Sequence, residues 1–128
     1  IHQLALKALA ISTAPWLIVR MIDRQSGRTV SEHGVHHPGE TIPAVTMGNR
    51  AILDDIRIDA YQIVGPRQNN LDLLTVMIFA GTAAISKEQT ILLAAILNQI
   101  EMLFILYRAG CIKPVQTIKK EMVDDSHH

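Results

Sequence analysis

Residues Lys87–Arg108 read KEQTILLAAILNQIEMLFILYR, and the fold turns on what this stretch becomes. Ser86 and Gln89 stand three apart just ahead of the apolar run. This is the capping-box pattern, in which each residue satisfies the other's free backbone N–H at a helix start. Ala109-Gly110 supplies the stop. The spacing predicts one helix of 22 residues, roughly 33 Å long. It is apolar on nearly every side. Asn98, Glu101 and Arg108 fall within roughly 80° of one another on the helical wheel and form its only polar stripe. Such a helix belongs in a core or at a contact between subunits.

Upstream, residues 71–84 are also apolar on almost every side, with Asn69 or Asn70 as cap and Asp72 in the first turn. This reads as a second helix. A chain of 128 residues buries about two-thirds of its unfolded surface and has room for one fully enclosed helix. Two of them point to homo-oligomerisation, by self-association through the surface from Leu71 to Tyr107.

Further toward the N-terminus, Ile52, Leu53, Ile56, Ala60, Ile63 and Val64 share an arc of roughly 120°. Residues 50–64 therefore read as an amphipathic helix capped by Asn49 and stopped by Gly65-Pro66. Residues 25–49 hold Gly27, Gly34, Pro38, Gly39, Pro43 and Gly48 and cannot form a long helix. They read as a long loop or β-hairpin, with extended pieces at 28–31 and 41–47 around a turn at Pro38-Gly39. Residues 2–11 have helical spacing. Ser12, Thr13 and Pro15 then look like the opening of a helix over 14–24, with a strand through 17–22 as the alternative. Beyond Gly110, Pro114 opens a short helix. Read with Lys87–Arg108, it makes a helix-turn-helix reading possible to state.

Composition narrows the classes. Hydrophobic residues are 48% and charged residues 19%, so a disordered chain is not expected. The aromatic residues are Trp16, Tyr61, Phe79, Phe104 and Tyr107, so the core is aliphatic. Twelve basic residues balance twelve acidic ones. A protein that neutralises phosphates carries a basic footprint, so no nucleic-acid partner is expected and the helix-turn-helix reading is disfavoured. No stretch of about 18 apolar residues runs without polar interruption, so no membrane span is expected. Cys111 is the single cysteine. It excludes an intrachain disulfide framework and leaves the compartment open, with a cytoplasmic one mildly favoured. A leader removed upstream of Ile1 would leave no trace, and His127-His128 are kept out of any metal argument.

Two groups of residues invite chemistry. Glu32-His33-Gly34-Val35-His36-His37-Pro38-Gly39-Glu40 places three imidazoles and two carboxylates in nine positions. These are ligand types for zinc or a similar divalent metal, with Asp54, Asp55 or Asp59 as a further ligand. His33, His36 and His37 are likewise the candidates for acid–base catalysis. Their spacing matches no specific motif, and a polar loop is the simpler reading. Glu101 is the second: a carboxylate in an apolar helix is a candidate general acid or base. With Asn98 and Arg108 it is also a candidate ligand contact in a pocket between helices.

The expectation is a single all-α domain over 1–128, a bundle of five to six helices with a long insertion around residues 25–49. The alternative is α+β, with strands between Leu17 and Met47. The leading function is a non-enzymatic oligomeric helical protein acting in assembly or protein–protein interaction, without cofactor. The alternatives are a small metal-dependent or acid–base enzyme using the His33 to His37 loop, and a small-molecule-binding helical bundle. Enzyme activity is left undecided.

Overall fold

The computed structural model describes residues 1–44, 46–68, 72–82 and 84–110. Its elements are α1 (His2–Ser12), β1 (Trp16–Asp23), β2 (Thr29–His36), α2 (Asn49–Leu53), β3 (Tyr61–Gln68), β4 (Leu73–Ala80) and α3 (Lys87–Arg108). The strands form one sheet in the order β2-β1-β4-β3, with every neighbouring pair antiparallel. The all-α bundle is therefore wrong. The chain is a small α+β protein with a four-stranded antiparallel sheet and three helices among the described residues. The α+β alternative had the class but missed β3 and β4.

Each correction has a physical cause. Ser12 and Thr13 close a helix rather than open one. The Ser12 hydroxyl donates to the Leu9 carbonyl at 2.9 Å and accepts from the Ala14 N–H at 3.1 Å. Thr13 takes a left-handed conformation, φ 58°, which ends α1. The next residues, Trp16 to Asp23, then run extended, as the Leu-Ile-Val run prefers.

The segment 71–84 illustrates why continuous apolarity is ambiguous. In β4, Leu73, Met77 and Phe79 face one side of the sheet, while Leu74, Val76 and Ile78 face the other. Both sides are covered, so a central strand shows the same unbroken apolar run as an enclosed helix. In place of the helix expected over residues 71–84, Leu73–Ala80 is a central strand whose apolar surface is hidden inside the chain's own sheet.

The amphipathic stretch 50–64 holds a helix only as far as Leu53. Asp55 has φ 56°, and the chain then turns through Asp59 into β3. Gly81, at the end of β4, receives this turn. Its N–H donates to the Ala60 carbonyl at 2.8 Å, and a Cβ at position 81 would overlap the Asp59 carbonyl oxygen. Long-range backbone packing thereby overrides the helical periodicity of residues 54–64. Of the two extended pieces expected before Asn49, the first belongs to β2, which runs on to His36. Residues 41–44 and 46–48 cross the sheet without forming a strand.

The α3 helix stands as the sequence indicates. The Gln89 N–H donates to Ser86 Oγ at 3.1 Å, the Ser86 N–H donates to Gln89 Oε1 at 2.6 Å, and Ala109 caps the end. It lies with α1 on one face of the sheet, where Leu93, Leu97 and Ile100 are wholly enclosed against Leu17, Met77 and Phe79. The opposite face carries Trp16, Ile18, Ile22, Val76 and Ile78, covered by Ile42, Met47 and Ile52 from the crossing segment and α2. The short helix expected from Pro114 lies outside the described residues.

Candidate functional site

The outer surface of α3 is the most unusual feature of the molecule. Its inward arc holds Leu93, Ile96, Leu97, Ile100, Glu101 and Phe104, all buried. Its outward arc is almost as apolar. Ile91 is 62% exposed, Leu92 52% and Met102 52%. Ala95, Asn98 and Gln99 are exposed between them, and Leu106 is half-buried. At 100° per residue these outward positions cover an arc of about 120° centred near Ala95. No charged residue lies on it between Glu88 and Arg108. Leu6 of the neighbouring α1 is also more than one-third exposed.

By length and composition alone, α3 would suffice to cross a membrane. About one-third of its most apolar stretch is nonetheless buried on the sheet.

The expected polar stripe is split by the fold. Asn98 is exposed. Glu101 turns inward, 7% exposed, and its Oε2 accepts a hydrogen bond from the Thr75 hydroxyl of β4 at 2.9 Å. Arg108 is exposed and lies over the Phe104 ring, 5.5 Å from its centroid. The three do not line one pocket.

The histidines are also separated. Successive residues of a strand point to opposite sides of the sheet. His33 shares the α1 side with Val35, while Glu32 lies on the opposite side with Arg20. His36 follows Glu32's parity, and His37 lies past the strand end. His33 meets α1 instead: its Nε2 is 2.9 Å from His2 Nδ1, with the rings edge to face. The His33 pKa is lowered from its ordinary value, first by burial, then by the positive charges of His2 and the Ile1 amino group. Among the described residues, no three His, Cys, Asp or Glu side chains gather to hold a metal ion. Asp54, Asp55 and Asp59 lie at the turn after α2, and Cys111 is outside the described residues.

Arg20 was not anticipated. It is a cation in a β-prone run, 6% exposed on the face opposite α3. Its Nη1 donates to the Met47 carbonyl at 2.6 Å and Asn49 Oδ1 at 3.0 Å. Its Nη2 donates to Thr46 Oγ1 at 3.0 Å and Glu32 Oε2 at 3.2 Å. The planar fork of the guanidinium allows four acceptors from two segments to converge. The one usable signal in the sequence was the charge itself inside Leu17–Ile22.

Beside β3 a cleft of about 550 Å³ opens between the strand and the turn after α2. Ile52, Ile58, Ile63 and Tyr61 line it together with Asp55 and Arg57. It lies on the far side of the sheet from Asn98, Glu101 and Arg108, the residues expected to bind a ligand.

Comparison with protein-family models, with curated proteins and with solved structures finds no match to the chain.

Proposed function

We propose that this is a non-enzymatic assembly domain that associates through the outward face of α3. The observation that supports it is the exposure of Ile91, Leu92 and Met102 along a helix whose other face already fills the core. A contiguous apolar patch on an otherwise well-packed surface marks an interaction site. The reading narrows the expected self-association from Leu71 to Tyr107 to the outward face of α3, since β4, Leu73–Ala80, is spent inside the sheet.

Light scattering on the purified chain at micromolar concentration tests it. The chain is expected to exceed its monomer mass, and Ile91→Glu with Met102→Glu is expected to restore the monomer with unchanged circular dichroism. A wild-type chain that stays monomeric at hundreds of micromolar overturns the reading.

The cleft beside β3 supports a second reading, small-molecule binding. Its volume falls in the usual range of ligand sites, about 300–1,000 Å³, and its accessible lining is more polar than apolar, so the reading suits a polar small molecule. Thermal-shift screening against a metabolite set tests it: a stabilising ligand should lose its effect when Ile63→Trp fills the cleft.

A further inference from the structure

We infer that the cleft beside β3 takes a small zwitterion of the amino-acid class, a free amino acid or a short peptide, with its carboxylate on Arg57 and its ammonium group on Asp55 and Asp59. This rests on the small-molecule reading above and adds the chemical class of the ligand and the groups that recognise it.

The turn after α2 carries the first step. Residues 55–59 read Asp-Ile-Arg-Ile-Asp, so charged and apolar side chains alternate. Both carboxylates, the guanidinium and Ile58 line the same cleft of about 550 Å³. The three charged residues are exposed, and among the described residues none of their side chains makes a hydrogen bond or an ion pair. Arg20 is the contrast: both of its terminal nitrogens are engaged by acceptors of the chain itself. Arg57 keeps its whole fork for an acceptor from outside.

The backbone fixes where these groups stand. At the start of the turn, the Ile56 N–H donates to the Ala51 carbonyl at 2.8 Å and the Asp55 N–H to the Ile52 carbonyl at 3.2 Å. At its end, the Tyr61 N–H donates to the Ile58 carbonyl at 3.0 Å, and the Gly81 N–H holds the Ala60 carbonyl at 2.8 Å. A turn tied at one end to α2 and at the other to the sheet is ordered before a ligand arrives, which lowers the entropic cost of binding.

The chemistry of the lining selects the class. A phosphate or a dicarboxylate would meet one guanidinium but two carboxylates. A polyamine would meet the carboxylates but also the guanidinium. A neutral apolar molecule would strip water from three charges and give them no partner. A zwitterion brings a partner of each sign. Its carboxylate matches the planar fork of Arg57 with two parallel hydrogen bonds. Its ammonium group has three donors, and the two aspartates supply the acceptors. Ile52, Ile58 and Ile63 offer apolar contact to an aliphatic part of the same molecule. Two carboxylates against one guanidinium leave the cleft with an excess of negative charge, so neutral and basic members of the class are preferred over acidic ones.

Calorimetric titration of the full chain with the common amino acids and a set of dipeptides, at millimolar concentration, tests this. The two halves of the panel distinguish a free amino acid from a peptide. At least one neutral or basic member is expected to bind, and its N-acetyl and C-terminal amide forms to bind at least tenfold more weakly. Arg57→Gln is expected to remove the preference for the free carboxylate and keep that for the free ammonium group. Asp55→Asn with Asp59→Asn is expected to do the reverse. These side chains bond to nothing in the fold, so the circular dichroism should be unchanged. Blocked forms that bind as well as free ones, an acidic member that binds tightest, or binding indifferent to these substitutions overturns the assignment. If no member of the panel binds while another polar compound stabilises the wild type but not Ile63→Trp, this inference falls and the small-molecule reading stands. If no compound of any kind acts on the wild type, both fall.

Discussion

The two faces of the sheet are covered in different ways. On one, α1 and α3 supply regular helices whose apolar side chains interlock with Leu17, Met77 and Phe79. On the other, an irregular crossing segment and the five-residue α2 lie over Ile18, Val76 and Ile78. Helices satisfy their own backbone and need only apolar contact to dock. The crossing segment has no such internal ladder, and its polar groups need partners when covered. Arg20 supplies them, with four hydrogen bonds spread over Glu32, Thr46, Met47 and Asn49. One face is held by area and the other by one buried cation in addition to area.

Removing the cation is the strongest way to break this contrast. Arg20→Met is expected to cost about 3–5 kcal/mol, because a partner taken from a buried network leaves the other groups unsatisfied. The loss should concentrate on one face: residues 37–48 become protease-sensitive while the amides of α3 keep their hydrogen-exchange protection. Glu32→Gln is expected to cost under about 1 kcal/mol, since its side chain is 42% exposed and solvent screens the pair. Equal effects of the two substitutions would mean that the ion pair, not the fork of neutral acceptors, holds the segment.

The helical face answers to volume instead. Leu97 is wholly enclosed, and Leu97→Ala is expected to cost about 3 kcal/mol by chemical denaturation, from lost burial plus the cavity left behind. Capping is the next smaller effect. Ser86→Ala should cost about 1 kcal/mol. Gln89→Ala should cost more than that, because the Gln89 side chain also donates from Nε2 to the Ile11 carbonyl at 2.7 Å and so ties the start of α3 to the end of α1. If the two capping variants are equally stable, that cross-helix bond contributes nothing.

The same contrast explains what could be read from the residues in order. The α3 helix was legible because its start, stop and inner spacing are all local: Ser86, Gln89 and Ala109 are near in sequence to what they control. Leu73–Ala80 is equally apolar and was misread, because whether both sides of a segment are covered by two faces of a sheet or by surrounding helices is decided far away in the chain. Residues 54–64 failed for a related reason. Their helical period is real, but Gly81 admits the backbone of Asp59 and Ala60, and no local pattern announces that approach. At the site, the exposed apolar arc of α3 was hidden by the very uniformity that made the helix obvious. Without knowing which side meets the sheet, Ile91 and Leu97 look alike. Glu101 stands out for its chemistry and shares one stripe with Asn98 and Arg108 on the wheel, whereas Thr75 draws it to the sheet and away from both.

The smallest expected effect lies where the two faces meet the edge strand, at His2 and His33. Burial and the neighbouring positive charges make protonated His33 less favourable in the folded chain, so its folded pKa lies below the ordinary value near 6.5. The unfolded chain therefore takes up a proton on this residue before the folded chain does. Stability should fall as pH drops through about 6.5 and level off below the folded pKa, with the full contribution present only above that window. The measurement is the difference in melting temperature between about pH 7.5 and about pH 5.5, a range above the usual carboxylate titrations. His33→Asn should make that difference smaller. If His33→Asn leaves the pH difference as large as in the wild type, the contact between α1 and β2 is indifferent to protonation. Apolar packing would then account for the docking of α1 as it does for that of α3.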